Sequence, residues 1–113
     1  MKKMSLSSLH RKYDQLRQSL AKIGYISQGS VLDRSTLKTP RSGYQWTRKL
    51  ARKTLTVALS PAQFQSLRQA IQNRKTLSQT IAQMERLSRQ ILFASVPDTR
   101  RRKRLSPKVL GLN

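Results

Sequence analysis

The sequence predicts an α+β fold: an N-terminal helix, an irregular loop, a β-hairpin, and a long C-terminal helix packed on the first helix, followed by a basic tail. Three observations support this. Apolar residues recur at helical spacing near the start, alternate with polar residues over two runs in the middle, and return to helical spacing between residues 61 and 95. At 113 residues the chain has room for one small domain. We place this domain at residues 1–96 and a basic C-terminal arm at 97–113.

The first helix is predicted from apolar residues that recur every three or four positions and therefore share one face. These residues are Leu6, Leu9, Tyr13, Leu16, Leu20 and Ile23. Gly24 is expected to end the helix.

Residues 25–43 are rich in Ser, Thr, Gly and Pro and show no sustained period, which predicts a loop with a short strand at residues 30–32.

Two runs with alternating polarity predict the hairpin. Tyr44 and Trp46 alternate with polar residues, and Leu55, Val57 and Leu59 alternate with Thr and Ala. The reversal is expected at residues 51–52. Because Asn-Gly and Asp-Gly are both absent there, the turn type stays open.

The second helix begins with a strong start signal at residues 60–63. Ser60 can cap the helix, Pro61 suits the first helical position, and Gln63 can complete a capping box. The apolar positions form a first stripe and then a second seam, and the polar segment 72–76 between them predicts a kink or a shift of the buried face. The first stripe is Phe64, Leu67 and Ile71, and the second seam is Leu77, Ile81, Met84 and Ile91 with Ser88 at its weak position. We expect the helix to reach about Ser95 and to pack on the first helix, with a homodimer through the long helix as the alternative.

The charge of the chain limits its function. Lys and Arg total 24 against four acids, the formal net charge is +20, and residues 34–75 contain no acid at all. Nucleic acid is the partner this balance favours, whether DNA or RNA. No apolar run approaches the roughly 18 residues that span a bilayer, and cysteine is absent. We therefore expect a cytoplasmic protein without membrane contact.

The candidate nucleic-acid-binding residues are basic side chains at the hairpin, in the preceding loop, on the second helix and in the arm, together with two aromatic residues. They are Arg41, Tyr44, Trp46, Arg48, Lys49, Arg52, Lys53, Arg74, Lys75, Arg100, Arg101, Arg102, Lys103 and Arg104. The four cations at residues 48–53 are expected on one face of the hairpin, facing phosphates. Block 100–104 is expected to be disordered without a ligand. Trp46 has two interpretations, and we favour a buried anchor of the hairpin over a base-stacking platform.

Catalysis is not expected. The four acids Asp14, Asp33, Glu85 and Asp98 fall on the first helix, a loop, the second helix and the tail, so they are not expected to converge on metal ions. His10 is the single histidine, which excludes a paired-His metal site. We therefore assign no catalytic residue, no metal site and no cofactor.

The order of several short motifs resembles a small uncharacterised bacterial family whose members are commonly encoded beside transposases. The resemblance covers about residues 6 to 95 and lies in residues 23–25 and 29–31, 44–49, 53–56 and 59–61. Many relatives in that family carry a metal-binding type of cysteine cluster, whereas the corresponding residues 33–41 contain no cysteine. The resemblance implies a mobile-element setting and no particular activity.

Three functions follow as expectations. The first is a non-catalytic nucleic-acid-binding protein that acts as an accessory subunit of a mobile-element complex, with a transposase or RNA-guided nuclease as its protein partner. The second is an RNA-binding component of a ribonucleoprotein. The third is a helical adaptor that binds another protein and uses its charge only to assist.

Overall fold

The computed structural model describes residues 5–96 and 105–110. The elements in chain order are α1 (Leu6–Leu20), β1 (Ser30–Asp33), a short 3-10 turn (Arg34–Thr36), β2 (Tyr44–Leu50), β3 (Lys53–Leu59), α2 (Pro61–Ser95) and α3 (Pro107–Leu110). This confirms the predicted α+β class with its N-terminal helix, hairpin and long helix packed on the first helix. The chain forms two compact units. We call the first unit, which comprises the residues up to Lys22 and those from Ser78 onward, the helical unit, and Ile23–Leu77 the sheet unit.

The helical unit is held together by apolar contacts between α1 and α2. Leu9 of α1 and Leu87 and Ile91 of α2 are buried together, and Tyr13 and Leu16 pack against them. The Ser5 side chain caps α1 by accepting a hydrogen bond from the Ser8 backbone N–H at 3.2 Å. Burial of this apolar cluster is the main source of stability in the unit.

The expected end of α1 at Gly24 is wrong, because the helix ends at Leu20 and Ile23 lies beyond it. The Ala21 N–H donates to the Gln18 carbonyl and the Lys22 N–H to the Ser19 carbonyl. These short-range bonds tighten the last turn and satisfy its carbonyls before the glycine is reached.

The predicted second seam of α2 is also partly wrong. Ile81 keeps 42% of its surface exposed, whereas Thr80 and Leu87 are buried and Met84 is half-buried. The observed seam therefore passes through residues 80, 84, 87 and 91, which recur at spacings of four, three and four. The predicted seam leaves out Thr80 because a polar side chain gives no apolar signal at that position.

The start of α2 confirms the predicted capping box. The Gln63 backbone N–H donates to the Ser60 hydroxyl at 3.1 Å, and the Ser60 backbone N–H donates to the Gln63 side-chain carbonyl at 2.9 Å. The helix then runs continuously over 35 residues. The polar segment 72–76 does not interrupt it.

The sheet has three antiparallel strands in the order β1-β2-β3. The short strand expected at residues 30–32 is confirmed and extends to Asp33. The hairpin reverses at Ala51 and Arg52 as predicted, with φ values of 49° and 70°. Positive φ at both turn positions is the pattern of a type I′ turn, whose twist matches that of the flanking strands.

One face of the sheet carries the apolar side chains. Val31, Trp46 and Val57 occupy paired positions on the three strands and therefore share this face. On the same face the Tyr44 ring lies against the Phe64 ring of α2, with centroids 4.4 Å apart. This apolar face is only partly shielded from solvent, because Val57 is 49% exposed.

Candidate nucleic-acid interface

The sheet unit is strongly basic. Its sequence contains ten basic residues and one acid, Asp33. The Asp33 carboxylate accepts hydrogen bonds from the Ser35 hydroxyl at 2.7 Å and from the Ser35 backbone N–H at 2.9 Å. Both bonds favour the ionised form and hold the pKa of Asp33 below its ordinary value. This carboxylate therefore caps the 3-10 turn.

The type I′ turn presents three of the predicted cations to solvent. Lys49, Arg52 and Lys53 are exposed around the reversal, and we call them the hairpin tip. The tip therefore presents ammonium and guanidinium groups to solvent at the end of the hairpin. Positive side chains on such a projection can contact phosphate oxygens without rearranging the sheet.

The expectation that the four cations at residues 48–53 share one face is wrong. Successive residues of a strand point to opposite faces, so Arg48 lies on the face of Trp46 and Lys49 on the other. Arg48 is half-buried opposite Leu55, and its Nε is covered without a hydrogen-bond partner. Arg48 is therefore partly a packing residue, unlike the hairpin tip.

Trp46 makes its contacts within the sheet unit. Its indole Nε1 donates to the Gln28 carbonyl at 2.9 Å, and the side chain is half-buried. Gly29 has φ of 99°, and a Cβ at this position would come within 2.5 Å of Trp46 Nε1. This close approach explains why a glycine stands there. The geometry supports the interpretation of Trp46 as an anchor of the hairpin. The Tyr44 ring also packs within the fold, against the Phe64 ring.

The loop before β2 is closed by backbone hydrogen bonds that place Arg41. The Arg34 N–H donates to the Gly43 carbonyl at 2.9 Å, and the Arg41 N–H donates to the Arg34 carbonyl at 3.1 Å. The Arg34 side chain reaches the Gln45 carboxamide with an Nε–Oε1 distance of 3.2 Å. Arg41 is exposed beside the start of β2, and Lys38 of the same loop is also exposed.

The predicted helix cations divide between two positions. Arg74 is exposed on α2, whereas Lys75 lines a groove of about 590 Å³ between α2 and β1. Arg68 also lines this groove, and the sequence prediction missed it. The spacing in the sequence already indicates that Arg68 belongs with Lys75, since the two residues are two helical turns apart and share one face of α2.

Block 100–104, which holds the remaining predicted cations, lies outside the described residues. After it, α3 forms one helical turn, in which the Val109 N–H donates to the Ser106 carbonyl at 3.1 Å. The predicted arm therefore contains a helical turn, which the sequence pattern does not predict.

In the parts of the chain that the structure describes, residues 5–96 and 105–110, no group of three or more His, Asp or Glu side chains is placed to hold a metal ion. Over the same residues no helix combines the length and apolar character that crossing a bilayer requires.

Comparisons with family models, with curated proteins and with solved structures each found no match for this chain. The family membership that the motifs indicate therefore stays a prediction.

Proposed function

We propose that the chain is a non-catalytic nucleic-acid-binding protein whose sheet unit contacts the phosphate backbone. The observation that carries this proposal is the ten-to-one excess of basic residues over acids within residues Ile23–Leu77. One carboxylate cannot neutralise ten cations, so a large excess of positive charge stays in this unit. Binding a polyanion relieves the repulsion among these cations and releases condensed counterions.

The exposure of the cations supports the same proposal. The hairpin tip, Arg41, Arg74 and Lys38 are all exposed. Side chains that are already solvated and extended can reach phosphate oxygens at little cost in packing. The aromatic residues Tyr44 and Trp46 support the sheet, so the proposed binding rests on charge and hydrogen bonds.

The cellular setting is a further part of the proposal. An accessory role beside a transposase or RNA-guided nuclease rests on the resemblance of the motifs at residues 23–61, and a cytoplasmic location rests on the absence of cysteine. DNA and RNA remain the two candidate partners.

The test is a competition experiment with the full chain, freed of nucleic acid by nuclease and high salt. Duplex DNA, single-stranded DNA and folded RNA of equal charge compete for a labelled oligonucleotide while the salt concentration is varied. We expect tight binding with an affinity that falls steeply with salt, by about 0.9 log units per duplex phosphate contact for each log unit of salt. Failure to bind any of the three at about 0.1 M salt would contradict the proposal.

A further inference from the structure

The groove between β1 and α2 lies within the sheet unit, and its lining combines apolar residues such as Ile71 with basic and carboxamide side chains. On the α2 side it is lined by Arg68 and Lys75 together with Gln65, Gln69 and Gln72, and on the strand side by Val31. No carboxylate lines it. The groove therefore offers two positive charges and three carboxamides to whatever enters it.

The spacing of the two cations suits a nucleic-acid strand. Arg68 and Lys75 are seven residues apart on one helix, or about 10 Å at a rise of ~1.5 Å per residue. A stacked strand advances ~3.4 Å per nucleotide, so this distance spans about three nucleotides. The glutamine side chains between the cations can donate and accept hydrogen bonds, which is what base edges and sugar hydroxyls require.

The shape of the groove favours one strand over a duplex. A duplex is a convex rod, which proteins grip by inserting helices or ribbons into its grooves. A groove of about 590 Å³ that is open to solvent on one side is in the size range of small-ligand pockets, so it has room for part of one strand but not for a double helix. We propose that this groove holds a single strand of DNA or RNA, with Arg68 and Lys75 on its phosphates.

An acidic peptide added to the free edge of β1 fits the groove less well. β1 has only four residues, and short edge strands offer few backbone groups for an added strand. Carboxamides facing the ligand also suit bases better than they suit carboxylates. The single-strand assignment rests on the proposed function and adds to it a separate site for one strand, beside the phosphate contacts of the hairpin tip.

A single substitution in the groove tests this site. Gln72→Glu places a carboxylate four residues after Arg68 and three before Lys75, where it competes with phosphate for both cations. The new charge pairs are favourable in a helix, so the fold is preserved. The matched control is Gln83→Glu, an exposed position on the same helix that is not part of the groove lining. It lies about 16 Å further along α2, beyond the Debye length of ~8 Å at physiological salt.

The measurement is the affinity of the full chain for labelled oligonucleotides of about 12 nucleotides, as oligo-dT, oligo-U and a DNA duplex of the same length. We expect Gln72→Glu to weaken binding of the single strands about tenfold, with Gln83→Glu changing it less than about threefold. The salt slope for single strands should fall by about 1.4 units in Gln72→Glu, for two lost contacts. Comparison of oligo-dT with oligo-U shows whether the chain binds DNA or RNA more tightly, and a loss confined to Gln72→Glu on the preferred strand supports the groove.

Several outcomes overturn the inference. Equal losses in the two variants, or a loss on the duplex as large as on the single strands, would show that the groove is not a single-strand site, while the proposed function stands. Displacement of the oligonucleotide by polyglutamate of equal charge at equal concentration would show a general anion site. If the unsubstituted chain binds no nucleic acid, the proposed function and the groove assignment fail together. Thermal melting confirms that both variants are folded.

Discussion

The helical unit and the sheet unit differ in how they gain stability. In the helical unit, Leu9, Leu87 and Ile91 keep only 6%, 7% and 8% of their surface exposed and form a shared apolar core. In the sheet unit no strand residue is buried, and Leu55 and Val57 remain 42% and 49% exposed. The sheet unit instead relies on individual contacts, such as the Trp46 bond to Gln28 and the Tyr44 ring against Phe64.

This difference shows how the two parts of the chain divide stability and binding. The sheet unit holds ten basic residues against one acid, and these cations repel one another in a thinly packed unit, so binding a polyanion stabilises it. A ligand that binds only the folded state adds to its stability by mass action.

The largest expected effect is in the helical core. Leu87→Ala should lower the free energy of unfolding by about 3 kcal/mol, because it removes buried methyl groups and leaves a cavity. Ile81→Ala is the matched control on the same helix, and its loss should stay below about 1 kcal/mol because Ile81 is exposed. Chemical denaturation followed by circular dichroism measures both. Equal losses would contradict the observed seam and restore the one first predicted from the sequence.

Trp46→Ala probes the individual contacts of the sheet unit. We expect a loss of about 3 kcal/mol, at the low end for tryptophan because the side chain is only half-buried. Trp46→Phe keeps most of the packing and loses the hydrogen bond to Gln28, at a cost of about 1 kcal/mol. Thermal melting compares the two. Unchanged stability in Trp46→Ala with loss of single-strand binding would support the stacking interpretation instead.

A smaller effect of opposite sign is expected at the hairpin turn. Ala51 has φ of 49°, a left-handed conformation that costs about 1 kcal/mol for a residue with a Cβ. Ala51→Asn should raise stability by about 0.5 kcal/mol, since asparagine tolerates this conformation in type I′ turns. Ala82→Asn in exposed α2 should lower stability by a similar amount. A destabilised Ala51→Asn variant would argue against the type I′ geometry.

Local signals predicted much of this fold. The capping box at Ser60 and Gln63, the reversal at residues 51–52 and the alternation around Trp46 each depend on neighbours within a few positions. Such patterns are set by backbone hydrogen bonds and side-chain direction, so they can be recognised without the tertiary structure. The missing Asn-Gly did not prevent the turn, because Ala51 and Arg52 accept its strained conformation.

Features that depend on distant residues were harder to predict. Burial of Thr80 is set by tertiary packing, and a polar residue in a seam gives no apolar signal. The groove joins β1 to a part of α2 about 35 to 45 positions later in the sequence, so the role of Arg68 appears only after the chain has folded. The close approach of Trp46 to Gly29 is of the same kind.

The most direct test of the central claim compares two variants of equal charge. One removes the hairpin tip as Lys49→Gln, Arg52→Gln and Lys53→Gln, and the other removes three exposed cations of the helical unit as Arg11→Gln, Lys12→Gln and Lys22→Gln. Affinity for duplex DNA is measured against salt, and thermal melting checks the fold.

We expect the tip variant to lose more than about tenfold in affinity and to flatten the salt slope by about 2 to 3 units, because up to three phosphate contacts are lost. The helical-unit variant should lose less than about threefold, since only long-range attraction changes. Equal losses in the two variants would contradict the account, because binding would then follow net charge and not the sheet unit.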